Sequence, residues 1–420
     1  MLQADTEILQ WPQGKKACVS LTYDDGSINH FKMAVPMMEK RDFEGTFFIN
    51  TQRIEGSEYY PKFVGRPIMD ILEECKNTPT NKNNILERSS LIRYLADIQE
   101  VPALEEVNMY EIGDNLEHGN MDEAIKLVDE ACQKLIETGK EYAVKSGFDS
   151  DRETTISWEK LSEVAKKGHE FGNHTISHPY LSTLNKENLE YEINKCKEDI
   201  KKHLGKKHTL SIECPYGIED PRVLDYVYPR YPFPRNRVKD SFIKEILRGD
   251  TTEPVSKEKP YIHWQRGPLS DTSLDTMKSW VDKSLKNNVW LVLVFHGIEG
   301  VGWEAIPKER ISSYFDYIKN RDIWVATYQD AYKYIREKMK TTIEEKREED
   351  KIIINIDNDL DKQVYNYPLT LETTIPEKWQ KVEVVKGKDK EQINKSSADK
   401  VIYQVDPSPK SVIIRKCTER

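Results

Sequence analysis

Four short segments carry residue types that bind metals or move protons. Asp24 and Asp25 stand side by side before Gly26, and paired carboxylates can divide the work of base and ligand, although Asp-Asp-Gly is also an ordinary turn. His174 and His178 are spaced so that two imidazoles could reach one ion. Pro179 disfavours a continuous helix through His178 and predicts a local turn there. Glu213-Cys214-Pro215-Tyr216-Gly217 reads equally well as a chain reversal, and His296-Gly297 as a buried, hydrogen-bonded histidine. Taken singly, each segment has a purely structural explanation.

Their placement narrows the choice. Apolar runs with strand character cover residues 17–23, 45–50, 169–173, 209–214, 289–295 and 323–328. Residues 158–167, 185–204 and 313–319 have helical spacing between them. Strands alternating with helices predict parallel β/α units, either a barrel or a doubly wound sheet. In both, sites are built at the C-terminal ends of strands, which is where all four segments fall. One shared metal site explains them together; separate structural roles require four coincidences.

Two stretches depart from this rhythm. Residues 53–153 are mostly helical in pattern and too long for a structureless loop, so they read as a helical insertion. Within it, 121–144 forms one helix, with Asn120 and Glu123 as its capping box. The run EEKREEDK at 344–351 is charged throughout and suits a linker or helix end. Beyond it, short strands at 352–356, 369–375, 382–385, 401–405 and 412–414 predict a small all-β, sandwich-like domain. The expected division is a catalytic unit over 1–340, a linker over 341–351 and a β-rich accessory domain over 352–420.

Composition excludes some classes. The 420 residues hold 63 Lys and Arg against 72 Asp and Glu, a net charge of −9, which argues against nucleic acid and poorly suits an anionic polymer. No apolar run approaches the ~18 residues of a membrane span. Cys18, Cys75, Cys132, Cys196, Cys214 and Cys417 show neither zinc-knuckle spacing nor a disulfide scaffold.

LTYDDG at 21–26, HTISHPYLSTL at 174–184, Pro-Tyr-Gly at 215–217 and LVFHG at 293–297 resemble, in order, the motifs of the polysaccharide deacetylase family, carbohydrate esterase family four, with its NodB homology domain. GTFFIN at 45–50, WEKLSEVAKKGHEFGNH at 158–174 and WVATYQDAYKYIRE at 324–337 are similar too. The resemblance spans 15–52 and 154–338 and leaves out the insertion and the tail. It implies a distorted parallel (β/α) barrel with fewer than eight units and one divalent metal, zinc first, with cobalt or nickel as alternatives. Carried over, Asp25, His174 and His178 are the metal ligands, Asp24 the base and His296 the acid, with the Tyr216 backbone N–H at the oxyanion. No other cofactor is implied. His296 should be protonated at rest, raised by a nearby carboxylate.

There are departures from the pattern. The family's third motif has an Arg where this chain has Glu213, so another cation must orient Asp24, and Arg235 and Arg237 are the candidates. The fourth motif is unrecognisable, with Trp264 and Asp271 as weak stand-ins. Tyr365, Tyr367, Trp379 and Tyr403 in the tail could stack on sugars or fill a core. The expected activity is hydrolysis of N- or O-acetyl groups on an oligo- or polysaccharide. A small-amide hydrolase and a non-catalytic carbohydrate-binding relic are the alternatives. A polymer substrate points outside the cytoplasm, to a chain with its signal peptide trimmed, with a cytoplasmic location as the alternative. The insertion could cap the substrate groove or form a dimer interface.

Overall fold

The computed structural model describes residues 6–145, 156–218, 220–235, 263–396, 398–407 and 410–417. Its strands, in chain order, are β1 (Thr6–Ile8), β2 (Ala17–Tyr23), β3 (Gly45–Ile49), β4 (Ile54–Glu55), β5 (Ile156–Ser157), β6 (Glu170–Asn173), β7 (Ser211–Ile212), β8 (Phe233–Pro234), β9 (Trp264–Arg266), β10 (Trp290–Phe295) and β11 (Ile323–Val325). The tail adds β12 (Thr342–Arg347), β13 (Lys351–Asp357), β14 (Leu369–Thr374), β15 (Lys381–Lys386), β16 (Asp389–Asn394), β17 (Lys400–Val405) and β18 (Lys410–Lys416).

The larger part is a distorted parallel barrel in the order β8-β7-β6-β3-β2-β10-β9. β2 is its axis. β10 pairs along six of its residues, while β3 joins its second half at Leu21–Tyr23 and β11 its first half at Ala17–Val19. Among the described residues no pairing closes β8 on β9. Every residue of β2 and β10 is buried, Ser20 and Thr22 of β2 included, because both faces of the sheet are covered. Val19, Leu21, Leu291 and Leu293 pack with the outer helices, whereas Cys18, Trp290, Val292 and Phe48 join Tyr328 and Phe233 on the other face.

The insertion holds α2 (Ile68–Asn77), α3 (Ile85–Arg93), α4 (Met109–Glu117) and α5 (Met121–Glu137), which follow the short α1 (Val35–Glu39). They share their own apolar cluster around Leu91, Ile112, Val128 and Leu135. α5 ends at Glu137, short of the expected 144, where Gly139 turns the chain at φ 61°. Asn120 makes no side-chain cap bond, so the expected capping box does not form.

The tail folds as two antiparallel sheets, β1-β14-β17 and β12-β13-β18-β15-β16, facing each other across Ile354, Leu371, Val384 and Ile414. Two corrections follow. The charged run expected as a linker over 341–351 is β12 and its turn into β13. An edge strand with one face in water uses charges to discourage further pairing, which hides its strand character from any apolar pattern. Second, β1 pairs with β14, so the chain's start belongs to the tail's sandwich. Trp379 and Tyr403 are buried in that sandwich, and Tyr367 lies 5.2 Å from Trp324 and 6.2 Å from Tyr334, packing tail against barrel. No helix among the described residues is long and apolar enough to cross a membrane.

Because β1 and the Trp324–Tyr334–Tyr367 contact tie the two parts together, ending the chain at Thr341 leaves apolar surface and an unpaired strand exposed. The expected outcome is a truncated protein recovered as aggregate, checked by soluble yield and light scattering against the full chain.

Candidate active site

β2 carries the first two carboxylates to the barrel mouth. Tyr23 is stacked between Phe47 and Phe295, at 5.0 and 5.2 Å between ring centroids, and the Asp24 N–H donates to the Phe295 carbonyl at 3.0 Å. Asp24 and Thr22 both meet one buried guanidinium. Arg235 Nη1 donates to Thr22 Oγ1 and Asp24 Oδ1, each at 3.0 Å, and Nη2 donates to Asp24 Oδ2 at 2.6 Å. Its Nε lies 2.7 Å from Glu213 Oε2, and its plane sits over the Phe48 ring. Burial pushes the Asp24 carboxyl up, but Arg235, then His174 and His296, outweigh it and hold it below the usual carboxylate range. Arg237, the other proposed orienting cation, lies outside the described residues.

Asp25 turns the other way, with φ at 72°. Its Oδ1 is 3.3 Å from His178 Nε2 and 3.5 Å from His174 Nε2, and the three ligand atoms lie within 4.8 Å of one another. His174 Nδ1 is 2.7 Å from the Glu213 carbonyl and must donate to it, which leaves the Nε2 lone pair facing Asp25. One carboxylate and two imidazoles so arranged fit a zinc-type divalent ion with positions left open. Burial pushes the Asp25 carboxyl up, but His178 and His174 outweigh it and hold it far below the usual range. Burial lowers His178 to about 4 against the pull of Asp25, so its imidazole is neutral, the form that ligates a metal.

The loop bearing both histidines is strained and braced. Thr175 and His178 have φ of 69° and 57°, a left-handed region unfavourable for side-chain-bearing residues. Glu192, on α6 (Lys186–Leu204), accepts the Ile176 and Ser177 N–H groups at 3.0 Å each. Arg93 of the insertion donates to the Ser177 carbonyl at 3.0 Å. Sequence reasoning missed both braces. Their only signal was two charged residues on helix faces that should otherwise be apolar.

His296 follows β10, its Nε2 3.7 Å from Asp24 Oδ2. Contrary to expectation, its pKa is lowered: burial is the largest cause and Arg235 adds to it, outweighing Asp24 and Asp25. His30, on the turn before α1, contacts the His296 carbonyl through Nε2, and burial lowers it to about 4. The tryptophan against His296 is Trp303, edge-on at 4.9 Å. Trp264 sits on β9 with Arg266 over its ring, and neither it nor the exposed Asp271 lines the site.

Asp24, Asp25, His174, His178, Glu213, Tyr216 and His296 thus face one cavity of about 260 Å³, with Trp303 and Tyr110 completing its wall. Tyr110 comes from α4 of the insertion. That helix approaches closely at Gly113, where a Cβ would fall 2.0 Å from the Tyr180 ring, and Tyr180 in turn stacks on Tyr216 at 5.1 Å. Tyr216 itself has φ of 60°.

A parallel barrel with three carboxylates and three histidines around one cavity at its strand ends has the makings of a hydrolase-type site. The family model for polysaccharide deacetylase matches residues 12–81 and 122–228, a stretch that holds Asp24, Asp25, His174, His178 and Glu213. His296 lies beyond the matched span. No curated protein matches the chain. Among solved structures, it is similar to a family 4 carbohydrate esterase from Streptomyces lividans, at 12% identity, 74% of this chain, 92% of that chain and a TM-score of 0.35. A family 4 carbohydrate esterase from Bacillus anthracis gives 13%, 78%, 86% and 0.34. A Bacillus subtilis peptidoglycan deacetylase gives 12%, 77%, 95% and 0.32. At these scores none bears on function.

Arg235→Ala leaves Asp24 and Glu213 buried without their cation, a change expected to cost about 3–5 kcal/mol in urea unfolding. A carboxyl held low contributes stability above its unfolded pKa and loses it as pH falls through the folded value. The gap between wild type and variant should therefore be widest near neutral pH and close on acidification.

Proposed function

We propose that the protein hydrolyses acetyl groups from a carbohydrate at this cavity, without a covalent intermediate. The supporting observation is the opposite pairing of two adjacent carboxylates: Asp24 with the Arg235 cation, Asp25 with two imidazole nitrogens. Asp25, His174 and His178 would hold a divalent ion, zinc first among candidates, which when bound polarises a carbonyl and acidifies water. Asp24, kept ionised by Arg235, accepts the proton of the attacking water. The Tyr216 N–H donates to the developing oxyanion. His296 delivers a proton to the leaving amine or alkoxide. It lies 3.7 Å from Asp24 and is disfavoured as a resting cation, so that proton arrives from Asp24 within the cycle. An acetylated polymer as substrate implies work outside the cytoplasm.

The test is acetate release from acetylated xylan and from N-acetylglucosamine oligomers, after chelation and after zinc or cobalt is returned. Release should vanish on chelation and recover with metal. Asp24→Asn should lower kcat by about 10²–10⁴-fold. His174→Ala should lose bound metal in elemental analysis. Tight glycan binding without acetate release from any substrate would sink the proposal.

A further inference from the structure

The insertion holds a second chemical feature, remote from the catalytic cavity and independent of the reaction proposed for it. Cys75, at the end of α2, and Cys132, on α5, bring their Sγ atoms to 3.5 Å across 57 residues of chain. Cys132 is buried and Cys75 partly exposed. Both line a surface cavity of about 730 Å³, bordered by Lys76, Thr78, Asp129 and Lys134, through which a small oxidant can reach them. Cys18, Cys196 and Cys214 are buried, and Cys417 is partly exposed on the distant sandwich. We propose that Cys75 and Cys132 form a disulfide on exposure to a disulfide-class oxidant, stapling the insertion that carries Arg93 and Tyr110.

The chemistry follows from the asymmetry of the pair. Cys75 is the more exposed thiol; its hydrogen bond with Cys132 is the largest influence on both, lowering the pKa of Cys75 and, with burial, raising that of Cys132. Cys75, the more acidic and accessible thiol, attacks the oxidant as thiolate; one S–S bond forms, the oxidant's own S–S bond breaks, and one thiol leaves. Cys132 then gives up its proton and attacks Cys75 Sγ, releasing the second thiol. Two protein thiols lose two electrons and two protons, and the oxidant's two sulfurs gain them.

The closed loop spans 75–132 and so includes α3 and α4. α3 contributes Arg93, which bonds the histidine loop, and α4 contributes Tyr110, which lines the cavity. A cross-link there restricts the unfolded chain over the segment that holds the site's wall.

The experiment treats the full-length protein with oxidised glutathione or with dithiothreitol, then blocks free thiols with N-ethylmaleimide after denaturation and maps the peptides. The oxidised sample should give a linked Cys75–Cys132 peptide and four alkylated cysteines. Its melting midpoint should lie roughly 3–10 °C above the reduced sample's. Cys75→Ser should melt at one temperature in either buffer. Alkylation of both thiols under excess oxidant, or linkage of either to another cysteine, would overturn the site; linkage with an unchanged midpoint would overturn the stapling.

Discussion

A single guanidinium, buried in the barrel mouth between two carboxylates, is the constraint on which the rest of the site depends. Asp24 follows β2 and Glu213 follows β7, with β3 and β6 between them in the sheet, and with no cation between the two carboxylates their charges could not both stay in the interior. Arg235 resolves this by using its whole fork. Two terminal nitrogens hold Asp24 and the Nε side meets Glu213, so both orientation and charge are set at once. A lysine has no such geometry and could serve only one carboxylate well. In the family pattern the cation stands at the position of Glu213. Here it has moved to the end of the neighbouring strand β8, and the vacated position supplies a counter-charge that clamps it.

The second constraint is conformational. Asp25, Thr175, His178 and Tyr216 all adopt positive φ around one cavity, and such conformations persist only where their surroundings over-determine them. For the histidine loop those surroundings are Glu192 from the barrel and Arg93 from the insertion, with Asn50 Nδ2 donating to the His174 carbonyl at 2.5 Å. The insertion is therefore part of the site's architecture. Through Gly113 it also seats α4 against Tyr180, and so sets where Tyr110 meets the pocket.

Much of this was legible in the chain. Most strands of the barrel could be read as short apolar runs, and the chemical residues because they follow those runs directly, whereas the two edge strands β8 and β9 were too short to show in the pattern. Arg235 was reachable by a charge argument: a buried base needs a cation, and the motif's own had been replaced by Glu213. The charged strand β12 was not legible, because an edge strand bathed in water keeps no apolar alternation. Nor was β1, whose pairing with β14 joins residues more than 360 apart. Arg93 and Glu192 showed only as charges on otherwise apolar helix faces, and Tyr110 not at all, for a related reason. Their partners are brought close only by tertiary packing, and no local spacing announces them.

The resting charge of His296 follows first from its burial, with the same buried cation adding to it. A histidine beside Asp24 and Asp25 would ordinarily be held protonated, and sequence alone suggests as much. Burial and Arg235 reverse this, because the carboxylate nearest His296 is already neutralised by a guanidinium that also repels the imidazolium. In the proposed reaction this is an advantage. Asp24 is a weak base while Arg235 holds it, so a proton taken from water is poorly retained there. His296 is the adjacent acceptor, at 3.7 Å, and faces the same cavity as the leaving group would. In that reaction the proton would pass from Asp24, a weak base in the grip of Arg235, to His296, so that general base and general acid would act as two stations of one transfer.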